Sequence, residues 1–100
     1  MEITVSNDEV TINLTPSRNP ECNERFYYQD ERLMWLLVDT VTILPEGWFY
    51  PNRIYRSSKN GKDLGRQNSL QGYNHPDEVR DMPATVKKEV LKQIQIITAR

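Results

Sequence analysis

The chain has 100 residues, 13 Lys and Arg against 14 Asp and Glu, and one cysteine. This length predicts a single domain, 1–100, with a small core, and the near-neutral total argues against a uniformly cationic nucleic-acid coat or a uniformly acidic nucleic-acid mimic. One cysteine excludes an internal disulfide, and the longest apolar run, 33–38, is far shorter than the ~20 residues of a membrane helix. We therefore expect a soluble cytoplasmic protein without a membrane segment.

The first half of the chain predicts β-structure. Apolar residues alternate with polar ones on both sides of a Ser6-Asn7-Asp8-Glu9 turn, which is typical of a β-hairpin. Residues 16–25 contain two prolines and predict a surface loop. Residues 33–44 are rich in β-branched side chains and favour a strand with a bend near Asp39, although the segment from Asp30 could instead begin a short helix.

The second half begins with a turn at Pro45-Glu46-Gly47, and residues 48–58 predict returning strand in which Pro51 interrupts the pairing. Asn60-Gly61 is typical of a type I′ hairpin turn, and residues 65–78 predict a loop. The chain ends in a helix predicted over 83–99, with Asp81 as its cap. The helix presents one apolar face, which consists of Val86, Val90, Ile94 and Ile97.

These elements predict an α+β fold. An antiparallel meander of four or five strands carries one amphipathic C-terminal helix packed on one face. The charges are divided along the chain, since residues 1–47 carry nine acids and three bases whereas residues 48–100 carry five acids and ten bases. Each half is therefore a candidate surface, unless the two halves pair their charges across the sheet.

The basic and aromatic segment 48–66 is the first candidate site. Guanidinium groups bind phosphate oxygens and aromatic faces stack on bases, so the segment is a candidate for nucleic-acid or nucleotide binding. Strand alternation places Arg53 and Tyr55 on one surface. The alternative is a solvated edge hairpin whose lysines discourage edge pairing. The candidate residues are Arg53, Tyr55, Arg56, Lys59, Lys62 and Arg66.

The acidic half supplies a second candidate, a surface for docking on a basic protein partner. Acidic side chains flank the aromatic run Phe26-Tyr27-Tyr28, and complementary charge raises the specificity of an interface. The alternative is that Phe26 and Tyr28 face the core while the acids keep the protein soluble. The residues predicted for this surface are Glu24, Tyr27, Asp30 and Glu31.

Three weaker patterns were considered for catalysis or cofactor binding. His75 with the acids of 77–81 does not have a known ligand spacing, and a helix start explains those acids better. Cys22 and His75 could form a nucleophile and base, but no oxyanion signature lies near Cys22. Residues 57–62 lack the glycine spacing of a phosphate-binding loop. The sequence therefore predicts no metal, no cofactor and no enzymatic activity.

The leading hypothesis is a small binding protein that docks on a larger protein and modulates or inhibits it. A compact, Asn-rich chain with one cysteine and no catalytic signature is typical of accessory or phage-encoded regulators. The alternative is a module that recognises phosphate in a nucleic acid or a small nucleotide. A homo-oligomer could bring two basic hairpins, or a basic and an acidic surface, together, and the sequence leaves that state open.

Overall fold

The protein is described by a computed structural model, which covers residues 1–16, 21, 23–67 and 71–99. Six strands precede one α-helix. A short 3-10 turn, Pro76–Glu78, lies between the last strand and the helix. The strands are β1 (Glu2–Ser6), β2 (Glu9–Asn13), β3 (Phe26–Gln29), β4 (Trp35–Ile43), β5 (Phe49–Arg56) and β6 (Asp63–Gln67), and the helix is α1 (Ala84–Thr98).

All pairings in the sheet are antiparallel, in the order β1-β2-β4-β5-β6, with β3 also paired to β4. Strand β5 runs along nearly the whole of β4. Strands β2 and β3 share the other edge of β4, where β2 pairs with Thr40–Ile43 and β3 pairs with Trp35–Val38. The predicted α+β meander with a C-terminal helix is confirmed. Four or five strands were expected, and the described residues form six. The sheet is five strands wide, because β2 and β3 pair with different parts of the same edge of β4.

The bend predicted near Asp39 is a β-bulge in β4. The register with β5 shifts between Val38 and Thr40, which leaves Asp39 as the extra residue. The strand begins at Trp35 because Asp30 closes a turn before it: one oxygen of the Asp30 carboxylate accepts the backbone N–H groups of Arg32 and Met34, each at 2.9 Å. The helix considered for this segment does not form.

The sheet has two different faces, because side chains alternate along each strand. We call inner the face that carries Val10, Ile12, Val41, Ile43 and Phe49, all at most 1% exposed. Helix α1 covers part of it, and the helix residues buried there include the predicted Val86, Val90 and Ile97. The opposite, outer face carries a half-exposed group around the buried Leu37: Tyr27, Trp35 and Ile54.

Helix α1 begins at Ala84 and ends at Thr98, close to the predicted bounds. Asp81 is not its cap: Pro83 occupies the cap position in an extended conformation, and Asp81 lies outside the first turn with a φ of 61°. The other end of the helix meets the predicted turn at Gly47. A Cβ on Gly47 would lie 2.6 Å from the Thr98 Cγ2, so glycine is required both by this contact and by its φ of 95°.

The turn predicted over residues 6–9 closes the first hairpin, whereas the type I′ turn predicted at Asn60-Gly61 does not form. Asn7 and Asp8 both have positive φ, as a type I′ turn requires. Asn60 and Gly61 do not, because the connection between β5 and β6 is longer and the turn begins earlier. The Gly61 N–H donates to the Ser58 carbonyl at 3.1 Å, which places Gly61 at the last position of the turn.

Two further expectations for the second half are corrected by the pairing. The loop predicted over 65–78 begins later, because residues 65–67 belong to β6, where Gly65 with a φ of 140° fits a bulge within the strand. Pro51 does not interrupt β5: it pairs with Val41. Pro51 lies two residues after Phe49, whose N–H points away from β4 and donates to the Tyr73 carbonyl. The Pro51 ring nitrogen points the same way, so its missing N–H removes no hydrogen bond to β4.

In the described part of the chain, no helix is long and apolar enough to cross a membrane.

Candidate functional site

A cavity of about 550 Å³ lies on the inner face, at the end of the sheet where β3, β4 and β5 run side by side. We call the segment 71–80 the strap, because it crosses this end of the sheet and forms the second wall of the cavity. The residues lining the cavity are Tyr28, Gln29, Asp30, Glu31, Arg32, Leu36, Arg53, Tyr55, Gln71, Tyr73, Glu78 and Arg80.

Arg53 is the half-buried cation of this cavity. Strand β5 places it opposite Val38, on the inner face. Its guanidinium carbon lies 5.4 Å from the centre of the Tyr28 ring, and its Nη2 donates to the Tyr73 hydroxyl at 3.0 Å. Its Nε is buried and has no hydrogen-bond partner, and no carboxylate of the described residues forms an ion pair with it. Arg53 therefore retains donor capacity for an anion.

Tyr28 is the second incompletely satisfied group in the cavity. Its hydroxyl is buried and has no hydrogen-bond partner in the part of the chain that the structure describes. Burial raises the pKa of Tyr28 to about 12, against the opposing effect of the Arg53 charge, while smaller contributions from Tyr73, Asp30 and Tyr55 raise it further. Tyr28 is therefore a neutral hydroxyl at physiological pH and can donate a hydrogen bond to a ligand.

The strap is held on the sheet by backbone and ring contacts. Tyr73 and Phe49 exchange backbone hydrogen bonds of 2.7 and 2.9 Å, and their ring centres are 5.9 Å apart. Gly72 passes so close to Trp48 that a Cβ would lie 2.2 Å from the indole ring. Further along, Arg80 donates to the Gln29 carbonyl at 3.3 Å. These contacts fix the Tyr73 hydroxyl over Arg53.

Charges of both signs surround the mouth of the cavity. Arg32 and Arg80 are exposed there, as are Glu31 and Glu78. Asp30 is less available than the other acids because its carboxylate closes the turn before β4. The mouth is therefore nearly neutral, while the interior presents the cation of Arg53. This arrangement suits a ligand with one anionic group that reaches inward.

The six residues of the predicted phosphate site divide into three locations. Arg53 and Tyr55 line the cavity, as strand alternation predicted. Arg56 and Arg66 lie on the outer face, where each meets a carboxylate oxygen at 3.0 Å, from Asp63 and Asp39 respectively. The last two, Lys59 and Lys62, are exposed at the β5–β6 connection. The three arginines thus do not converge on one surface.

The four residues of the predicted docking surface are also dispersed. Glu24 lies 3.3 Å from the N-terminal amino group, and Tyr27 lies on the outer face with the Arg56 guanidinium 5.9 Å from its ring. Asp30 closes its turn, and Glu31 is exposed beside it. The alternative role of the neighbouring aromatics is observed, since Phe26 is buried and Tyr28 packs against the core cluster.

The weak metal and nucleophile patterns can be located only in part. His75 begins the 3-10 turn, where its Nδ1 accepts the Asp77 N–H at 3.1 Å. The hydrogen bond from Lys87 to Asp77, at 3.0 Å, and the charge of Lys87 lower the pKa of the Asp77 carboxyl. Among the described residues, no three His, Cys, Asp or Glu side chains are grouped as a metal would require. Cys22 lies outside the described residues.

Sequence reasoning missed two groups that shape the cavity. A core position for Tyr28 is one of the two alternatives for the aromatic run, and its alternation with Phe26 places it on the inner face beside Arg53, where it also lines the cavity. Tyr73 falls in a segment without a hydrophobic pattern, so nothing local indicated that it would bridge to Phe49. Only the tertiary fold brings it to Arg53.

The comparisons with known proteins identify no relative. No protein-family model matches the chain, and neither the curated proteins nor the solved structures contain a match.

Proposed function

We propose that this protein binds a small phosphate-bearing molecule, such as a mononucleotide, in the inner-face cavity, and that it acts as a binding protein without catalysis. The observation that carries the proposal is the state of Arg53: a half-buried cation with a buried, unbonded Nε and no carboxylate partner among the described residues. Removing a charge from water is costly unless an opposite charge compensates for it. A phosphate group supplies that charge and accepts hydrogen bonds from the guanidinium fork.

The walls of the cavity favour a small molecule with a flat ring. Tyr28, Tyr55 and Tyr73 surround Arg53 and offer aromatic surface on which a base can stack. A long nucleic-acid strand would need a continuous basic track. The nearest candidates for one, Arg56 and Arg66, are on the outer face and engaged with Asp63 and Asp39.

The binding test compares AMP with adenosine and with inorganic phosphate by thermal denaturation and titration calorimetry. AMP should raise the melting temperature by more than about 10 °C at 100 times its Kd. Adenosine should bind much more weakly, because it cannot compensate the Arg53 charge. Equal binding of AMP and adenosine, or no binding of any of the three compounds, would contradict the proposal.

Arg53→Met and Arg56→Met form a matched pair of variants on one strand. We expect Arg53→Met to weaken AMP binding by about 10- to 100-fold, which is the usual cost of losing hydrogen bonds to a charged group. Arg56→Met should change the affinity less than threefold. The proposal would be wrong if a single-stranded DNA oligomer bound more tightly than AMP, and if that DNA affinity fell steeply with salt and with substitution of Lys59, Lys62 and Arg66.

The second proposal is docking on a larger protein, which the protein would modulate or inhibit. It is supported by Leu33, which is 72% exposed at the β3–β4 turn beside the exposed Glu31. Leu33→Asn would remove the apolar side chain and keep a residue that tolerates its φ of 63°. A partner that copurifies with the wild type should be lost from this variant, and equal recovery from both would contradict the role of this turn.

A further inference from the structure

Strand β1 forms one edge of the sheet, and part of its backbone is unpaired there. Among the strands of the described residues it pairs only with β2, through a hairpin that closes directly on the Asn7-Asp8 turn. In such a hairpin the residues next to the turn, and every second residue after them, exchange hydrogen bonds within the pair. The backbone groups of Thr4 and Ser6 therefore point to β2, and those of Ile3 and Val5 point outward from the sheet.

The side chains of the same two residues leave apolar surface uncovered. Ile3 and Val5 pair with Ile12 and Val10 and so lie on the inner face. Their partners are fully buried, whereas Ile3 is 38% exposed and Val5 is 55% exposed. A groove of about 620 Å³ separates this edge from α1, and its lining includes Met1, Ile3 and Leu91. The edge thus combines unpaired backbone with apolar side chains.

The outermost strands β1 and β6 differ in how their free edges are protected. Natural edge strands usually carry a lysine, a proline or a bulge that discourages further pairing. Strand β6 has a bulge at Leu64 and Gly65 and a charged Arg66. Strand β1 has no lysine, proline or bulge, its one charge (Glu2) lies at its far end, and its register with β2 is regular from Glu2 to Ser6. It is therefore competent to accept another strand.

We propose that β1 pairs antiparallel with β1 of a second copy of this chain, about a two-fold axis at Thr4. In this register Ile3 faces Val5 of the second copy, and their outward backbone groups exchange hydrogen bonds. The four apolar side chains then form one cluster on the inner face. Glu2, the charged residue of the strand, falls opposite Ser6 of the second copy, so no like charges meet. This self-complementarity favours a second copy over a foreign strand.

The test uses the full chain and sedimentation velocity across a range of concentrations. We expect the wild type to reach twice the mass of one chain as its concentration rises. Val5→Lys, which adds the usual edge protection at a side chain that is already 55% exposed, should stay monomeric. Leu64→Lys adds the same charge at a 57% exposed position on the opposite edge and should dimerise as the wild type does.

Amide hydrogen exchange of the wild type tests the register without any variant. The Ile3 and Val5 amides should become protected as the concentration rises, while the Thr4 amide, bonded to β2 in either state, should not change. A wild type that stays monomeric at millimolar concentration, unchanged exchange at Ile3 and Val5, or a dimer that Leu64→Lys abolishes would each overturn the proposal. The dimer does not depend on the ligand, since the Arg53 cavity lies on other strands.

Discussion

Two arginine–tyrosine pairs stand on opposite faces of the same three strands. Tyr28 and Arg53 meet on the inner face, and Tyr27 and Arg56 meet on the outer face, with similar separations of 5.4 and 5.9 Å between guanidinium carbon and ring centre. Their environments differ, because Arg56 also has an ion pair to Asp63 whereas Arg53 has a hydroxyl and no carboxylate among the described residues. The comparison teaches that two arginines on one strand, each beside a tyrosine ring, differ in whether the fold brings a carboxylate to their charge.

The largest effect is expected from a change that disturbs only the inner pair. In Gly72→Ala the new Cβ would lie 2.2 Å from the Trp48 ring, so the ring or the strap must move. Such overpacking costs about 1–3 kcal/mol. Urea denaturation should show this loss, and AMP affinity should fall with it as Tyr73 shifts away from Arg53.

Asn74→Ala is the control for Gly72→Ala, since it alters an exposed side chain of the same strap. Its unfolding free energy should stay within about 0.5 kcal/mol of the wild type. A Gly72→Ala protein as stable as the wild type would mean that the strap does not depend on close contact with Trp48.

The same substitution at the two arginines should change the unfolding free energy differently. Arg56→Met loses the ion pair to Asp63 and the contact with Tyr27, at a cost of about 1 kcal/mol. Arg53→Met removes a half-buried charge that lacks a carboxylate partner, so the unfolding free energy should be unchanged or rise by up to about 1 kcal/mol. Urea denaturation of the pair without ligand measures both values. Equal destabilisation would remove the distinction between them.

The last expected effect is a pH dependence confined to the alkaline range. The folded protein holds the Tyr28 proton up to a pKa of about 12, whereas the unfolded chain releases it near the ordinary tyrosine pKa of 10.0. The unfolded state therefore binds fewer protons between these pH values, and stability falls as pH rises from 10 to 12. Tyr28→Phe should abolish this part of the alkaline loss.

Ultraviolet absorbance of tyrosinate can assign this titration to a residue. The chain has five tyrosines, and the wild type should show a late phase near pH 12 that Tyr28→Phe lacks. Tyr27→Phe should retain that phase, as the matched change on the outer face. If the absorbance phase near pH 12 persists in Tyr28→Phe, the residue with the raised pKa is another tyrosine and not Tyr28.

Much of the fold was predictable because it depends on local patterns. The β-branched run of β4 and the apolar spacing of α1 predicted both elements, and alternation placed Arg53 and Tyr55 together. Glycine misled the analysis where it serves a bulge: Gly65 indicated a loop but lies within β6.

The candidate site was predictable only in part, because its second wall comes from distant sequence. The charges of Arg53, Arg56 and Arg66 are identical in the sequence, and their difference arises from which carboxylates the fold brings near them. Asp39 is contributed by β4 and Asp63 by β6. Tyr73 reaches Arg53 through a bridge to Phe49 that no local pattern indicated. The choice of anchor residue is therefore a tertiary property.

The bulge at Asp39 has a consequence for the motions of the sheet. It lies between the part of β4 that pairs with β2 and the part that pairs with β3. The Asp39 carbonyl accepts a hydrogen bond from the Leu14 N–H at 2.9 Å. The end of α1 meets the Gly47 turn that follows the first part, while the candidate cavity lies on the second. We therefore expect the amides of β3 to exchange with solvent faster than those of β2. The proposed ligand would then enter at one end of the sheet without loosening the other.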